Sequence, residues 1–174
     1  MIYMVEMDLI ERERRVEWDH WYLTHTKMLL TFPGFHATQR FECLHEADAP
    51  FVAIHQVDGL EFFQSEPYLN QAGPTGTGEW RTKMTNWNRN LFDGMDVTPN
   101  VPLEGALLVV EDGAGAGVPD GLLVTWLTSL GLDQNVSRRG FAVADDIEAA
   151  RPAIGCVGVR VLKPLIPRLT EADL

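Results

Sequence analysis

The stretch PGFHATQRFECLHEADAPFVAIHQV, residues 33–57, carries the local signals that decide the fold. Pro33 and Gly34 end a preceding helix, because proline cannot continue a helix and glycine enters turns without strain. Residues 35–44 and 51–57 are rich in aromatic and β-branched side chains, and the polar HEADAP turn lies between them. The stretch therefore predicts the end of a helix followed by a β-hairpin.

The segments on either side of the hairpin extend this pattern. Residues 2–9 are typical of a strand, and the ERERR run at 11–15 leads into a helix that ends near Phe32. After the hairpin we expect, in order, a short helix over LEFFQSEPYLNQ broken near Pro67, a GPTGTG loop at 73–78 and a closing strand at 85–94. The order β-α-β-β-α-β is the ferredoxin-like pattern.

The second half of the chain repeats this outline more loosely, after a linker around 95–105. Leu122, Leu123, Trp126, Leu127 and Leu130 would share one face of a helix, so the sequence predicts a helix over PDGLLVTWLTSLG, residues 119–131. Strands are expected at GALLVVED, RRGFAVAD and CVGVRVLKPL, with a short DIEAAR helix before the last. We therefore divide the chain into two ferredoxin-like halves, 1–97 and 98–174, of which the second is one strand short.

Composition restricts the partners. The chain has 14 basic and 25 acidic residues and a formal net charge of −11, so its surface repels nucleic acids and anionic membranes. The sequence has no apolar run of about 18 residues that would predict a membrane span. Cys43 and Cys156 lie far apart in the sequence, and we predict that both are buried free thiols. We expect a cytoplasmic protein.

The predicted first helix concentrates aromatic and histidine side chains in EWDHWYLTH, residues 17–25. At 100° per residue, its apolar stripe consists of Trp18, Tyr22, His25, Leu29 and Phe32, with Trp21 beside it. His20 falls on a polar stripe instead. The two histidines are about 140° apart around the helix axis and cannot chelate one ion as an i, i+4 pair does. We predict no metal site.

Two interpretations of His25 are open. It is a core histidine that hydrogen-bonds a carbonyl or hydroxyl group, as buried polar groups usually do. Alternatively, it is a general base or acid in a pocket, because aromatic surroundings favour the neutral imidazole that accepts a proton.

The hairpin strands supply further candidates. In residues 35–44, Arg40 shares a polar face with His36, Thr38 and Glu42, and Phe41 lies on the other face. This polar face lines a cavity or faces solvent. On the second strand, His55 shares its face with apolar Phe51 and Ala53, an unusual place for a polar side chain.

Aromatic and amide side chains continue beyond the hairpin. Tyr68 and Trp80 flank the GPTGTG loop, which could act as a lid. Asn86 alternates with Trp87 along the closing strand, where it would orient a substrate oxygen or cap the strand end.

These elements resemble the dimeric α+β barrel superfamily and, within it, the EthD-like branch. Members of that branch often carry a Trp-Tyr pair shortly before a histidine, then a PGF strand start with an alanine and an arginine downstream. The matching residues are Trp21, Tyr22, His25, Pro33, Gly34, Phe35, Ala37 and Arg40. Thr24 departs from the pattern, since an acid usually precedes the histidine. The likeness covers about residues 2–94.

The resemblance implies a cavity between the open face of the sheet and its partner sheet. It also implies a tyrosine-like hydrogen-bonding role near His55. Related barrels include cofactor-free monooxygenases, isomerases, cyclases, lyases and haem enzymes. Haem is disfavoured because the chain has no histidine from Pro99 onward, where such barrels carry the haem ligand. GAGAG at 113–117 lacks the spacing of a phosphate-binding or dinucleotide-binding loop, so we predict a turn there. We expect no cofactor.

The combined expectation is a cofactor-independent enzyme that uses histidine and tyrosine acid–base chemistry on a small apolar, aromatic or polyketide-like substrate. A lyase or isomerase is preferred, and the alternatives are a cofactor-free monooxygenase or a barrel that only binds a hydrophobic ligand. The expected catalytic residues are His25, Tyr22, His55 and Arg40. The expected substrate-binding residues are Trp18, Trp21, Phe41, Tyr68, Trp80, Asn86 and Trp87. The missing strand further predicts a homodimer that covers the open sheet face.

Overall fold

A computed structural model describes residues 1–72, 76–114 and 117–174. The first group of elements is β1 (Ile2–Leu9), α1 (Arg15–Leu29), β2 (Phe35–Cys43), β3 (Phe51–Val57) and β4 (Met84–Asp93). The second is β5 (Ala106–Glu111), β6 (Thr125–Leu132), β7 (Arg138–Ala144), α2 (Ile147–Ala150), β8 (Val159–Pro164) and β9 (Leu169–Thr170). Short helical turns cover Leu60–Gln64, Tyr68–Ala72 and Gly78–Thr82. The fold is α+β with few helices.

The strands form a closed antiparallel barrel. Its order is β3-β1-β4-β6-β7-β5-β8-β2, and the pairing of β2 with β3 closes the ring. The short β9 pairs with Ala37 and Thr38 of β2, while β8 pairs with the far end of the same strand edge. One chain therefore closes the barrel by itself.

Strand alternation divides the core into layers. Apolar residues of one strand face fill the barrel interior, among them Met4, Phe41, Ile54, Phe92 and Leu162. The opposite face of β1 and β3 presents Tyr3, Val5, Met7 and Phe51 to α1, which covers them with Trp18, Tyr22 and Leu29. On the other side of the barrel, α2 packs on β5, β7 and β8. The barrel interior is thus a packed core, and α1 covers an outer face.

The predicted helix over residues 119–131 is wrong, since Thr125–Leu132 forms strand β6. Leu127 is fully buried inside the barrel, whereas Leu123 is 89% exposed, so these leucines do not share one buried face. The strand is held between β4 and β7, and this long-range pairing overrides the local helical pattern. It is the strand that the sequence analysis found missing. The homodimer stays a prediction, but the missing strand no longer supports it.

The hairpin follows the prediction, with one local shift. The β2–β3 register shifts between Phe35 and Ala37, and this irregularity moves Phe35 onto the face that carries Thr38 and Arg40. His36 is exposed there and pairs with Asp58 at 2.6 Å. Gly34 adopts a φ of +88°, which explains why a glycine directly precedes the strand.

The predicted second helix, LEFFQSEPYLNQ, is replaced by the turns Leu60–Gln64 and Tyr68–Ala72, which are separated near Pro67. No helix in the described ranges is both long enough and apolar enough to cross a membrane. Gly73, Pro74 and Thr75 of the predicted lid, and Gly115 and Ala116 of GAGAG, lie outside the described residues.

Candidate active site

A cavity lies between α1 and the outer face of the sheet formed by β1, β3 and β4. Its volume is about 40 Å³. The turn Tyr68–Ala72 contributes Tyr68 and Ala72 to its wall, and the opposite walls come from α1 and the three strands. This position differs from the cavity between two sheets that the resemblance implied, because side chains fill the barrel interior.

Helix α1 contributes Trp21, Tyr22 and His25 to the cavity wall. The His25 ring stacks on Trp21, with ring centroids 5.2 Å apart and an angle of 18° between the planes. Tyr22 meets His25 edge-on at 6.4 Å. Within the described chain His25 makes no hydrogen bond, so the hydrogen-bonded core histidine of the sequence analysis is not what the structure contains. His20 is exposed, as predicted.

Burial determines the charge state of His25. It lowers the pKa of the imidazole to about 4, because an imidazolium would lose its hydration among apolar rings. At neutral pH His25 is therefore an uncharged base that borders the cavity.

His55 stands on β3 in the opposite wall and is almost completely buried. Its Nδ1 lies 2.9 Å from Oγ1 of Thr38, and its ring packs between Tyr3 at 5.2 Å and Phe35 at 5.1 Å. Burial, followed by the charges of His25 and Arg40, lowers its pKa to about 3. The contact with Thr38 leaves Nε2 as the nitrogen available for another partner.

Tyr22 of α1 and Tyr3 of β1 add two phenol groups to the cavity lining. Burial raises the pKa of Tyr22 to about 12, and burial together with the neighbouring Tyr68 raises the pKa of Tyr3 well above its usual value. Both phenols therefore keep their protons at neutral pH. They can donate a hydrogen bond but are poor bases.

Arg89 on β4 also lines the cavity and was not among the residues predicted from the sequence, where Asn86 was the polar candidate on this strand. Its guanidinium lies 5.8 Å from the ring centroid of Trp87, which lines the same wall. Although burial opposes the charge, the adjacent Tyr3, Tyr68 and Asp133 raise the pKa of Arg89. The alternation of Trp87, Arg89 and Leu91 on one face of β4 is the sequence signal that could have identified it.

The predicted site residues thus fall into three groups. The structure brings six of them to the cavity wall: Trp21, Tyr22, His25, His55, Tyr68 and Trp87. Trp18, Arg40 and Trp80 form a layer behind that wall, with Trp80 6.0 Å from Trp21. Phe41 lies in the barrel interior, and Asn86 is exposed and donates to the Asp48 carbonyl oxygen at 2.5 Å. The structure therefore places Phe41 and Asn86 away from the cavity.

Arg40 supports the wall from behind. Its guanidinium lies over the Tyr22 ring at 4.0 Å and the Trp18 ring at 4.7 Å, and its Nη2 donates to Asp19 at 2.8 Å. It therefore fixes α1 against β2 rather than facing the cavity. Across residues 1–72, 76–114 and 117–174, no group of three or more His, Cys, Asp or Glu side chains is placed to hold a metal ion.

The fold is similar to that of solved structures. One is a candidate monooxygenase from Lactobacillus acidophilus, with 12% identity, a TM-score of 0.56 and coverage of 98% of this chain and 96% of that one. A candidate monooxygenase from Fusobacterium nucleatum has 13% identity, a TM-score of 0.57 and coverage of 95% and 93%. An anthrone oxidase-like protein has 11% identity, a TM-score of 0.57 and coverage of 99% and 94%.

At these identities the likeness concerns the fold alone. Both the dimeric α+β barrel superfamily and its EthD-like branch stay predictions. No family model and no curated protein matches the sequence.

Proposed function

We propose that the protein is a cofactor-independent monooxygenase that oxidises a hydroxylated or enolisable aromatic compound. The observation that carries the proposal is the pair of uncharged imidazoles, His25 and His55, in one apolar cavity. The neighbouring folds support an oxygenase over the lyase or isomerase expected from the sequence, since their names indicate monooxygenases and an anthrone oxidase-like protein. One fold hosts many chemistries, so the site carries the argument.

The first step is removal of a proton from the substrate. His25 is the base, because its unprotonated imidazole borders the cavity and forms no hydrogen bond within the described chain. The burial that lowers its pKa also makes it a weak base, so the substrate must carry an acidic proton. Deprotonation converts a phenol or an activated CH₂ group into an electron-rich anion. Such an anion can transfer one electron to dioxygen without help from a flavin or a metal.

Dioxygen is the oxidant, and with it the atoms and electrons of the reaction balance. For a CH₂ group next to an aromatic carbonyl, the carbanion and dioxygen form a C–O bond and, with one proton, a hydroperoxide. Loss of the remaining C–H proton breaks the O–O bond and releases water, so that CH₂ plus O₂ gives C=O plus H₂O. His25 takes up the first proton and returns it to the peroxide. His55 and the protonated Tyr22 donate hydrogen bonds to oxygen atoms of the intermediate.

The cavity must widen before a ring can enter. Its volume of about 40 Å³ has room for a few water molecules, whereas a cavity of roughly 150 Å³ holds one benzene molecule. The side chains of Trp21 and His25 can move to widen the cavity, because both are only partly buried. Dioxygen itself is small enough to enter without this change.

The test is dioxygen uptake with isotope labelling. The purified protein is incubated under ¹⁸O₂ with anthrone and with single-ring hydroquinones, without added flavin or metal and with a chelator present. We expect one labelled atom in the quinone product and the other in water. Turnover without dioxygen consumption would instead support the lyase or isomerase. Binding without turnover would support the hydrophobic-ligand barrel.

The proposal extends to the architecture of the chain. The strand orders β2-β3-β1-β4 and β6-β7-β5-β8 repeat each other, which supports two ferredoxin-like halves over 1–97 and 98–174. We also propose the EthD-like branch, a homodimer and a cytoplasmic location. Light scattering tests the homodimer, and a single species at the 19.5 kDa chain mass would reject it.

A further inference from the structure

The wall of the cavity on β4 carries a charge that the proton transfer does not use. Among the described residues that line the cavity, Arg89 alone bears a full charge at neutral pH, and none is an aspartate or glutamate. The formal net charge of the chain is −11, so this cation is a local feature of the site. A partly buried charge is stable only when it has a partner.

The Arg89 side chain shares a hydrogen bond with the Tyr68 hydroxyl, and the carboxylate that faces it, Asp133, is a weak partner. Asp133 lies 3.7 Å from the Arg89 guanidinium, longer than a hydrogen bond, and its side chain is 38% exposed. Its other carboxylate oxygen accepts the backbone N–H of Arg89 at 2.7 Å and is thereby occupied. An exposed pair of this kind contributes little, and the guanidinium has five N–H donors, so donors beyond the one that meets Tyr68 remain for an anion.

A second donor stands on the same wall. The indole Nε1–H of Trp87 is buried and has no hydrogen-bond partner in the described structure. Leaving a buried donor unpaired costs free energy, and such groups frequently pair with a ligand or water. Trp87 and Arg89 are next-but-one neighbours on one strand face, so both donors belong to one subsite.

From these residues we infer that Trp87 and Arg89 form a subsite for an anionic oxygen attached to an aromatic ring. The ligand is the conjugate base of an acidic phenol or enol, held with its oxygen at β4 and its ring against Trp21 and His25. A neutral ether of the same shape carries no negative charge for Arg89 to bind. The inference rests on the proposed function for its site, and it concerns binding rather than oxygen chemistry.

Calorimetric titration with 4-nitrophenol and its methyl ether, 4-nitroanisole, tests this inference without turnover. Above the pKa of the phenol we expect the phenolate to bind at least about 10-fold more tightly than the ether, since hydrogen bonds to charged groups are the stronger kind. Affinity should fall as acid protonates the phenol. Equal affinities for the two compounds, or no binding of the phenolate, would overturn the inference.

Variants identify the donor. Arg89→Gln should weaken phenolate binding about 10- to 100-fold and leave ether binding unchanged. Arg89→Lys should restore part of the preference. Arg81→Gln is the matched control, because Arg81 also lies over the Trp87 ring, at 4.5 Å, but does not line the cavity. Equal effects of Arg81→Gln and Arg89→Gln would overturn the inference.

Trp87→Phe keeps a ring and removes the N–H, so it should weaken phenolate binding less than Arg89→Gln does. Thermal melts confirm that each variant is folded before titration. Phenolate binding that depends on Arg89, without oxygen uptake on any substrate, would reject the monooxygenase and leave the subsite standing. Oxygen uptake without any preference for the phenolate over the ether would reject the subsite and leave the monooxygenase standing.

Discussion

Mild acid should destabilise the protein through His25, which is partly buried, and His55, which is buried. Burial lowers the pKa of His25 to about 4 and that of His55 to about 3, whereas an unfolded histidine has a pKa of about 6.5. As pH falls below 6.5 the unfolded chain takes up protons that the folded chain does not. The free energy of unfolding therefore decreases, and this loss continues until the folded-state pKa values are reached.

The size of this effect follows from the two pKa differences. Between pH 7 and pH 5 each histidine should lower the free energy of unfolding by about 2 kcal/mol, so the pair accounts for about 4 kcal/mol. This is a large share of a typical stability of about 5–15 kcal/mol. Most carboxylates remain ionised at pH 5, so the window isolates the histidines.

Urea unfolding, followed by tryptophan fluorescence at both pH values, measures the loss. His25→Phe keeps an aromatic ring beside Trp21 and should reduce the difference between the two pH values to about 2 kcal/mol. His20→Gln is the control and should leave the difference unchanged, because His20 is exposed. A wild-type loss below about 1 kcal/mol, or an unchanged loss in His25→Phe, would refute the reasoning.

Two further substitutions test contacts that hold His55 and Arg40 in place. Thr38→Val removes the 2.9 Å contact with Nδ1 of His55, and chemical denaturation should show a loss of about 1–2 kcal/mol; no loss would mean that the contact does not hold the ring. Asp19→Asn leaves the buried Arg40 without its carboxylate and should cost about 1–3 kcal/mol. Glu148→Gln, in an exposed pair with Arg151, is the control and should have no measurable effect.

Local signals predicted the elements of residues 1–57 well. Pro33 and Gly34 end the helix region where expected, and the 35–57 hairpin forms in nearly the predicted register. His25 and His55 stood out because each interrupts an apolar face, and both line the cavity. In these segments helical and strand periodicity agreed with burial, so local pattern and tertiary structure gave the same answer.

Other features depend on long-range pairing that no local pattern records. Strand β6 looks helical in sequence, but the barrel closes only if Thr125–Leu132 joins β4 to β7. The cavity lies under α1 because the barrel interior is filled, and the alternation of one strand cannot show which face meets the helix. From sequence, Asn86 seemed as suitable for contacting a substrate as its neighbours on the predicted strand 85–94. Of those residues, only Trp87 and Arg89 line the cavity.

The most direct test of the central claim compares dioxygen uptake by wild-type, His25→Ala and His20→Ala proteins on a substrate that wild type oxidises under ¹⁸O₂. Thermal melts establish the folded fraction of each protein, and rates are expressed per folded molecule. We predict that His25→Ala loses about 10²–10⁴-fold in turnover, as expected for removal of a general base, while His20→Ala keeps the wild-type rate. Folded His25→Ala protein that consumes dioxygen at the wild-type rate would contradict the assignment of His25 as the base.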